Sequence, residues 1–140
     1  MEALLTEQRI RELIEAATAA RARAYAPYSR FNVGAAVLGA DNQIYLGCNV
    51  ENASFGLTIC AERVAVTNAV AHGCREFVAL AVVAETDSGP VTPCGACRQV
   101  LAEFSPHLTV ICADGKNPPQ IIKLDDLLPH RFEFGPRREA

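Results

Sequence analysis

This 140-residue sequence has little positive charge in any one place. The formal charge is −3, and no basic run exceeds Arg137-Arg138. A polynucleotide binder normally carries a basic stripe that offsets phosphate charge; its lack argues against nucleic acid and leaves a small molecule as the expected substrate. No apolar run approaches the roughly 18 residues that would suggest a membrane span. The first residues, Met1-Glu2-Ala3-Leu4-Leu5-Thr6-Glu7, lack the basic start and apolar core of a secretory leader. No repeat, linker or break in composition divides the chain, so one domain over 1–140 is expected, with loose tails at 1–5 and 135–140. Half of the residues are hydrophobic, ample for one core. Six cysteines in a chain without a leader fit a reducing compartment, so a cytoplasmic location is expected.

The cysteines carry the strongest pattern. Cys60-Ala61-Glu62-Arg63 reads C-x-E, and Pro93-Cys94-Gly95-Ala96-Cys97-Arg98 reads P-C-x-x-C. Three thiols and one carboxylate are enough for a catalytic metal, because zinc in such a site takes three protein ligands and keeps a fourth position open. Cys60, Cys94 and Cys97 are the candidate ligands, and Glu62 is the candidate acid/base group outside the ligand set. Cys94 and Cys97 share one helical face. Cys60 and Glu62 converge only if they stand at the first turn of a helix, where side chains lean toward the N-terminus. Exposed N–H groups and positive dipole ends there favour thiolates. Arg63 and Arg98 are candidates for offsetting the remaining negative charge. A redox pair would call for a thioredoxin-like context and leaves Glu62 unexplained. A structural zinc site needs a fourth ligand, and Cys48, Cys74, Cys112 and His72 show no paired spacing. The three other cysteines read as small buried apolar side chains, and His72 as a helix-end residue.

Thr6 can cap a helix whose apolar face is Ile10, Leu13, Ile14 and Ala17, expected to run to about Tyr25 before Pro27. Asn32 to Leu38 and Gln43 to Gly47 read as a hairpin, followed by a loop to Thr58. A helix is expected from Cys60 to His72, stopped by Gly73. Then come a strand over Phe77–Ala84, a helix over Cys94–Phe104, a strand over Thr109–Ala113, an edge strand over Ile121–Lys123 and a helical turn over Asp125–Leu128. Strands alternating with helices imply an α/β fold with a mixed sheet flanked by helices.

Several motifs resemble the cytidine deaminase family, specifically its short homotetrameric zinc type with three cysteine ligands. They are Pro27-Tyr28-Ser29-Arg30-Phe31, Val33-Gly34-Ala35-Ala36, Gly47-Cys48-Asn49-Val50-Glu51-Asn52-Ala53, the two metal stretches and Leu127-Leu128-Pro129. The resemblance covers about Ala26 to Phe132. It implies a three-layer α-β-α fold with a five-stranded mixed sheet and one zinc per chain at two helix N-termini. The implied activity is hydrolytic deamination of cytidine and 2′-deoxycytidine to the uridines, with release of ammonia, in pyrimidine salvage. Glu62 would move protons from water to ring N3 and then to the leaving amine. Asn49 and Glu51 would hydrogen-bond the ribose, Phe31 would pack on the base, and the Ala61 N–H would donate to the ring oxygen. A homotetramer with shared sites is implied, in which Phe132, or else Phe134, covers a neighbouring subunit's substrate. Helix faces rich in Ala and Val, such as 64–70, would be buried between subunits. Asn32 and Ile59 depart from the family pattern without adding or removing a catalytic group. Two other readings stay open at this point: a deaminase for another aminopyrimidine-like compound, such as a nucleoside antibiotic, and a non-catalytic zinc module that binds a partner.

Overall fold

The computed structural model describes residues 4–136; Arg137-Arg138 and most of both expected tails lie outside the described residues. Among the described residues ten elements are seen: α1 (Glu7–Arg21), β1 (Val33–Gly39), β2 (Ile44–Cys48), a 3-10 turn (Phe55–Leu57), α2 (Ala61–Ala71), β3 (Phe77–Ala84), α3 (Gly95–Phe104), β4 (Thr109–Ala113), β5 (Gln120–Lys123) and α4 (Leu124–Leu127); apart from the 3-10 turn, which lies within the expected loop, they follow the expected order. The five strands form one mixed sheet in the order β2-β1-β3-β4-β5. β1 pairs antiparallel with β2 and β3, β4 runs parallel to β3, and β5 is antiparallel to β4. The parallel step needs a crossover, and α3 supplies it.

Helices cover both faces, which makes three layers. On one side α1 sets Leu13 and Ala17 against Ala36, Leu38, Ala79, Ala81 and Ile111. On the other, Ala65, Val66, Ala69 and Leu101 of α2 and α3 pack on Ala35, Val37, Leu80, Val82, Val110 and Cys112. β3 is buried along its whole length, as expected for a central strand covered on both faces.

The termini obey local rules. The Thr6 hydroxyl accepts from the Arg9 amide at 3.1 Å and starts α1. α1 stops at Arg21, earlier than the spacing predicts, because Tyr25 turns away to pair with Val50. α2 ends in a Schellman arrangement: the Cys74 amide reaches the Ala69 carbonyl, the Gly73 amide reaches that of Val70, and Gly73 takes φ +91°. His72 is its C-cap, with Nδ1 at 2.8 Å from the Asn68 carbonyl. Leu4 and Leu5 lie half-buried against the α1 side of the core.

Candidate active site

Cys60 and Cys94 are the N-caps of α2 and α3, both in extended backbone, and Cys97 sits one turn into α3. The three sulfurs lie within 4.8 Å of one another, and those of Cys60 and Cys94 are 3.9 Å apart. Tetrahedral zinc with Zn–S near 2.3 Å sets sulfur–sulfur separations of about 3.8 Å. The donor set therefore fits zinc. Cys97 is buried, Cys60 half-buried and Cys94 exposed, so the group opens to solvent on its Cys94 side.

The thiols share their protons unevenly. A hydrogen bond with Cys97 and the Arg63 guanidinium, whose Nη2 stands 3.6 Å from the Cys60 sulfur, holds the Cys60 thiol well below the usual range. The same sharing with Cys60, together with burial, drives Cys97 upward, so within that pair Cys60 ionises first. Arg63 thus faces the cysteine group. Arg98 does not: it donates to the Pro93 and Leu127 carbonyls, each at 2.7 Å, and to the Thr92 hydroxyl at 3.1 Å. It braces the loop that presents Cys94.

Glu62 is 5% exposed, in the first turn of α2. Burial raises its carboxyl to about 7, and charge on Cys60 adds to the shift. A carboxyl held near neutrality can both accept and donate a proton. Beneath the site, Cys112 is fully buried, while Cys48 is only half-buried, contrary to the expectation that all three spare cysteines are buried.

The segment 49–51 is stitched to both flanks of the site. Val50 exchanges backbone hydrogen bonds with Ile59, next to Cys60. On its other side, Tyr25 donates to the Asn49 carbonyl, and Glu51 donates to that of Tyr25. The side chains of Asn49 and Glu51 both turn onto the 26–33 segment. Asn49 is buried; its Oδ1 accepts from the Val33 amide at 2.9 Å and its Nδ2 donates to the Phe31 carbonyl at 2.8 Å. Each end of that amide keeps one hydrogen-bonding position free. Glu51 Oε1 accepts from the amides of Tyr28 (2.9 Å) and Ser29 (3.1 Å), and the Ser29 hydroxyl donates to Oε2. That hydroxyl and the two amides hold the Glu51 carboxyl below the ordinary range. Phe31, which composition alone would place in the core, is 38% exposed. Ala61 is buried at the first position of α2, where the backbone N–H has no acceptor within the helix.

Phe132 and Phe134 are 71% and 96% exposed, and the Phe132 carbonyl accepts from Gln99 Nε2 at 3.2 Å. The expected buried face at 64–70 is split: Ala65, Val66 and Ala69 already pack inside the chain, leaving Val64, Thr67 and Val70 partly or fully outside. Sequence reasoning passed over Ser29 and Gly47 as working residues. A Cβ on Gly47 would meet the Ala61 carbonyl and the Ala65 amide, so its lack of a side chain lets α2 approach β2 closely.

An α/β fold with three convergent cysteines at two helix N-termini, and a buried carboxyl in the first turn of one of them, defines the class of zinc-dependent hydrolytic deaminases. Residues 7–113 match the family model for the cytidine and deoxycytidylate deaminase zinc-binding region. The chain is 58% identical over 124 residues to a cytidine deaminase of Sporosarcina psychrophila, covering 88% of this chain and 90% of that protein. It is 52% identical over 121 residues to one from Halalkalibacterium halodurans, covering 86% and 91%. A crystal structure of cytidine deaminase from Burkholderia pseudomallei superposes with a TM-score of 0.85 at 50% identity, over 91% of this chain and 100% of that one. The chain belongs to the cytidine and deoxycytidylate deaminase family.

Proposed function

We propose that this protein is a zinc enzyme that hydrolyses the exocyclic amine of cytidine and 2′-deoxycytidine, giving the uridines and ammonia, in pyrimidine salvage. The observation that carries this reading is the meeting of Cys60, Cys94 and Cys97 within 4.8 Å, beside buried Glu62. The three thiolates would hold one zinc per chain, which when bound supplies a water of lowered pKa. Glu62 would take the proton of the attacking water and deliver it to ring N3, then move the second proton to the departing amine, so that ammonia leaves neutral. Its near-neutral carboxyl suits both directions of transfer. Arg63 would offset the negative charge of three thiolates around one dication. The Ala61 N–H would donate to the ring carbonyl oxygen. Asn49 and Glu51, facing the same way from an extended segment, would take ribose hydroxyls, and half-exposed Phe31 would pack on the base.

The reading extends to assembly. Tyr25 (55%), Phe55 (73%), Leu57 (66%) and Ile59 (42%) are exposed on the segments that flank the site. Apolar surface of that kind marks a contact region. We infer a homotetramer in which Phe132 of one chain covers the substrate of another. A cytoplasmic location is supported by six unpaired thiols, three of them gathered as ligands; among the described residues no helix is long and apolar enough to cross a membrane.

Loss of cytidine absorbance on adding purified protein tests the function, with adenosine and free cytosine as controls. Turnover of cytidine alone supports it, and no change with the zinc-loaded protein refutes it.

A further inference from the structure

The turn before β1 is more strongly constrained than a loop needs to be. Arg30 takes φ +59°, a left-handed conformation that costs a non-glycine residue about 1–2 kcal/mol. Such a residue persists only where its surroundings over-determine it, and these positions gather at working sites. Here the Arg30 amide closes onto the Ala26 carbonyl at 2.9 Å, and Glu51 gathers the amides of Tyr28 and Ser29. The Ser29 hydroxyl then does two things at once: it donates to Glu51 Oε2 and accepts from the Phe31 amide at 3.0 Å. The carbonyl of Phe31 is held by Asn49 Nδ2. Both peptide groups of Phe31 are therefore tied to the 49–51 segment, one through Ser29 and one directly.

We propose that Ser29 is a positioning residue whose hydroxyl joins the sugar-facing Glu51 to the base-facing Phe31, so that both halves of the nucleoside pocket are set as one unit. This rests on the reading that Glu51 and Phe31 contact the nucleoside. Acceptor counting sharpens it. A carboxylate offers about four acceptor positions. The amides of Tyr28 and Ser29 fill those on Oε1, and the Ser29 hydroxyl fills one on Oε2. One position remains for a sugar hydroxyl, and Ser29 fixes its direction. Removing the Ser29 hydroxyl loosens Glu51 and frees the Phe31 amide together.

The test is steady-state kinetics of wild type, Ser29→Ala and Ser29→Thr on cytidine and on 2′,3′-dideoxycytidine, with hydrogen exchange measured at the Phe31 amide. Ser29→Ala should raise the cytidine KM about tenfold, the scale of a lost hydrogen bond to a charged group, with kcat within about twofold. The dideoxy substrate lacks the hydroxyls that Glu51 would take, so its KM should rise by about threefold or less. Ser29→Thr keeps the hydroxyl and should return the cytidine KM to within about twofold of wild type. Phe31 exchange should speed by at least about tenfold in Ser29→Ala only. An unchanged cytidine KM, an equal penalty on both substrates, a threonine variant as impaired as alanine, or unaltered Phe31 exchange would each overturn the proposal. If wild type holds zinc but deaminates no cytidine, the functional reading fails separately, and unaltered Phe31 exchange still overturns the link through Ser29.

Discussion

Gly47 and Gly34 present the same steric problem on opposite faces of the sheet, and replacing each by alanine separates fold from site. Glycine inside a strand costs roughly 0.5–1 kcal/mol relative to alanine, so with open space Gly47→Ala would stabilise. There is none: the new Cβ would meet the Ala61 carbonyl and the Ala65 amide and stand 2.9 Å from the Ala65 Cα. Carbon atoms pack at about 3.5–4.0 Å, so α2 must withdraw from β2 by roughly 0.6 Å or more. α2 carries Cys60 at its N-cap and Glu62 in its first turn, while Cys94 and Cys97 stay with α3. Metal ligands tolerate errors of only about 0.2 Å. The required movement is about threefold larger, so Gly47→Ala should strike zinc affinity and turnover as well as stability.

Gly34→Ala is the control. Its Cβ would meet the Ala17 carbonyl and stand 2.6 Å from the Arg21 amide nitrogen and 2.8 Å from its Cβ. That clash lifts α1, which bears no site residue. Overpacking of this kind costs about 1–3 kcal/mol, a drop in Tm of roughly 3–15 °C for a domain of this size. Both variants should lose that much stability. Gly34→Ala should keep one zinc per folded chain and a kcat/KM within about twofold of wild type. Gly47→Ala should bind zinc about 10–100-fold more weakly, the penalty typical of disturbed ligand support, and lose activity in step. Calorimetry, zinc titration with a chromogenic chelator and the absorbance assay read the three quantities. A Gly47→Ala protein with full zinc affinity and wild-type turnover would refute the idea that glycine sets the height of α2.

Cys60→Ala, Cys94→Ala and Cys97→Ala should each lose zinc by metal analysis, and full retention in any one removes that residue from the ligand set. Glu62→Gln should keep zinc but lose several orders of magnitude in turnover, since both proton transfers fail; near-normal rates would sink the mechanism. In zinc-stripped protein, burial raises Glu62 from 4.5 to about 7, so its contribution is fully present below pH 4.5 and is lost as pH rises through 7. The unfolding free energy of wild type minus that of Glu62→Gln should therefore fall by about 3 kcal/mol between pH 4.5 and pH 8, and a flat difference would show that Glu62 is well solvated. Sedimentation should show a tetramer at low concentration, and removing residues from Arg131 onward should cut activity with zinc still bound; a fully active monomer defeats the shared site.

The elements were legible wherever a periodic apolar pattern met a clear stop. β3 and β4 fall on the residues their apolar runs predict, and α2 and α3 differ from expectation only in that Cys60, Cys94 and His72 are caps instead of helical residues. The end of α1 was less legible, because Tyr25 leaves the helix to satisfy Asn49 and Glu51, which lie far along the chain. The meeting of Cys60, Cys94 and Cys97 beside Glu62 was legible because sulfur, carboxylate and spacing leave few alternatives in chemistry. The roles of Arg63 and Arg98 were not separable, since each is merely adjacent to a ligand in sequence. Only the fold shows that one guanidinium faces Cys60 while the other is taken up by the Pro93 and Leu127 carbonyls.

The residues that sequence reasoning missed share a physical cause. Ser29 and Gly47 act through what stands opposite them in space, and neither residue type announces a partner. A serine in a turn ordinarily satisfies local backbone, and the hydrogen bond from the Phe31 amide looks like that case. Only the long-range bond to Glu51, from a segment 22 residues away, makes the hydroxyl a link between that carboxylate and the Phe31 backbone. A glycine in a strand ordinarily marks a weak point or a bulge, yet Gly47 is where α2 rests on the sheet. The chemistry of this site is thus written in single residues and their spacing, whereas its dimensions are set by pairs that meet only after folding. Substitutions at Glu62 should therefore abolish turnover with the zinc still held, while substitutions at Gly47 should weaken the site by displacing groups that remain chemically intact.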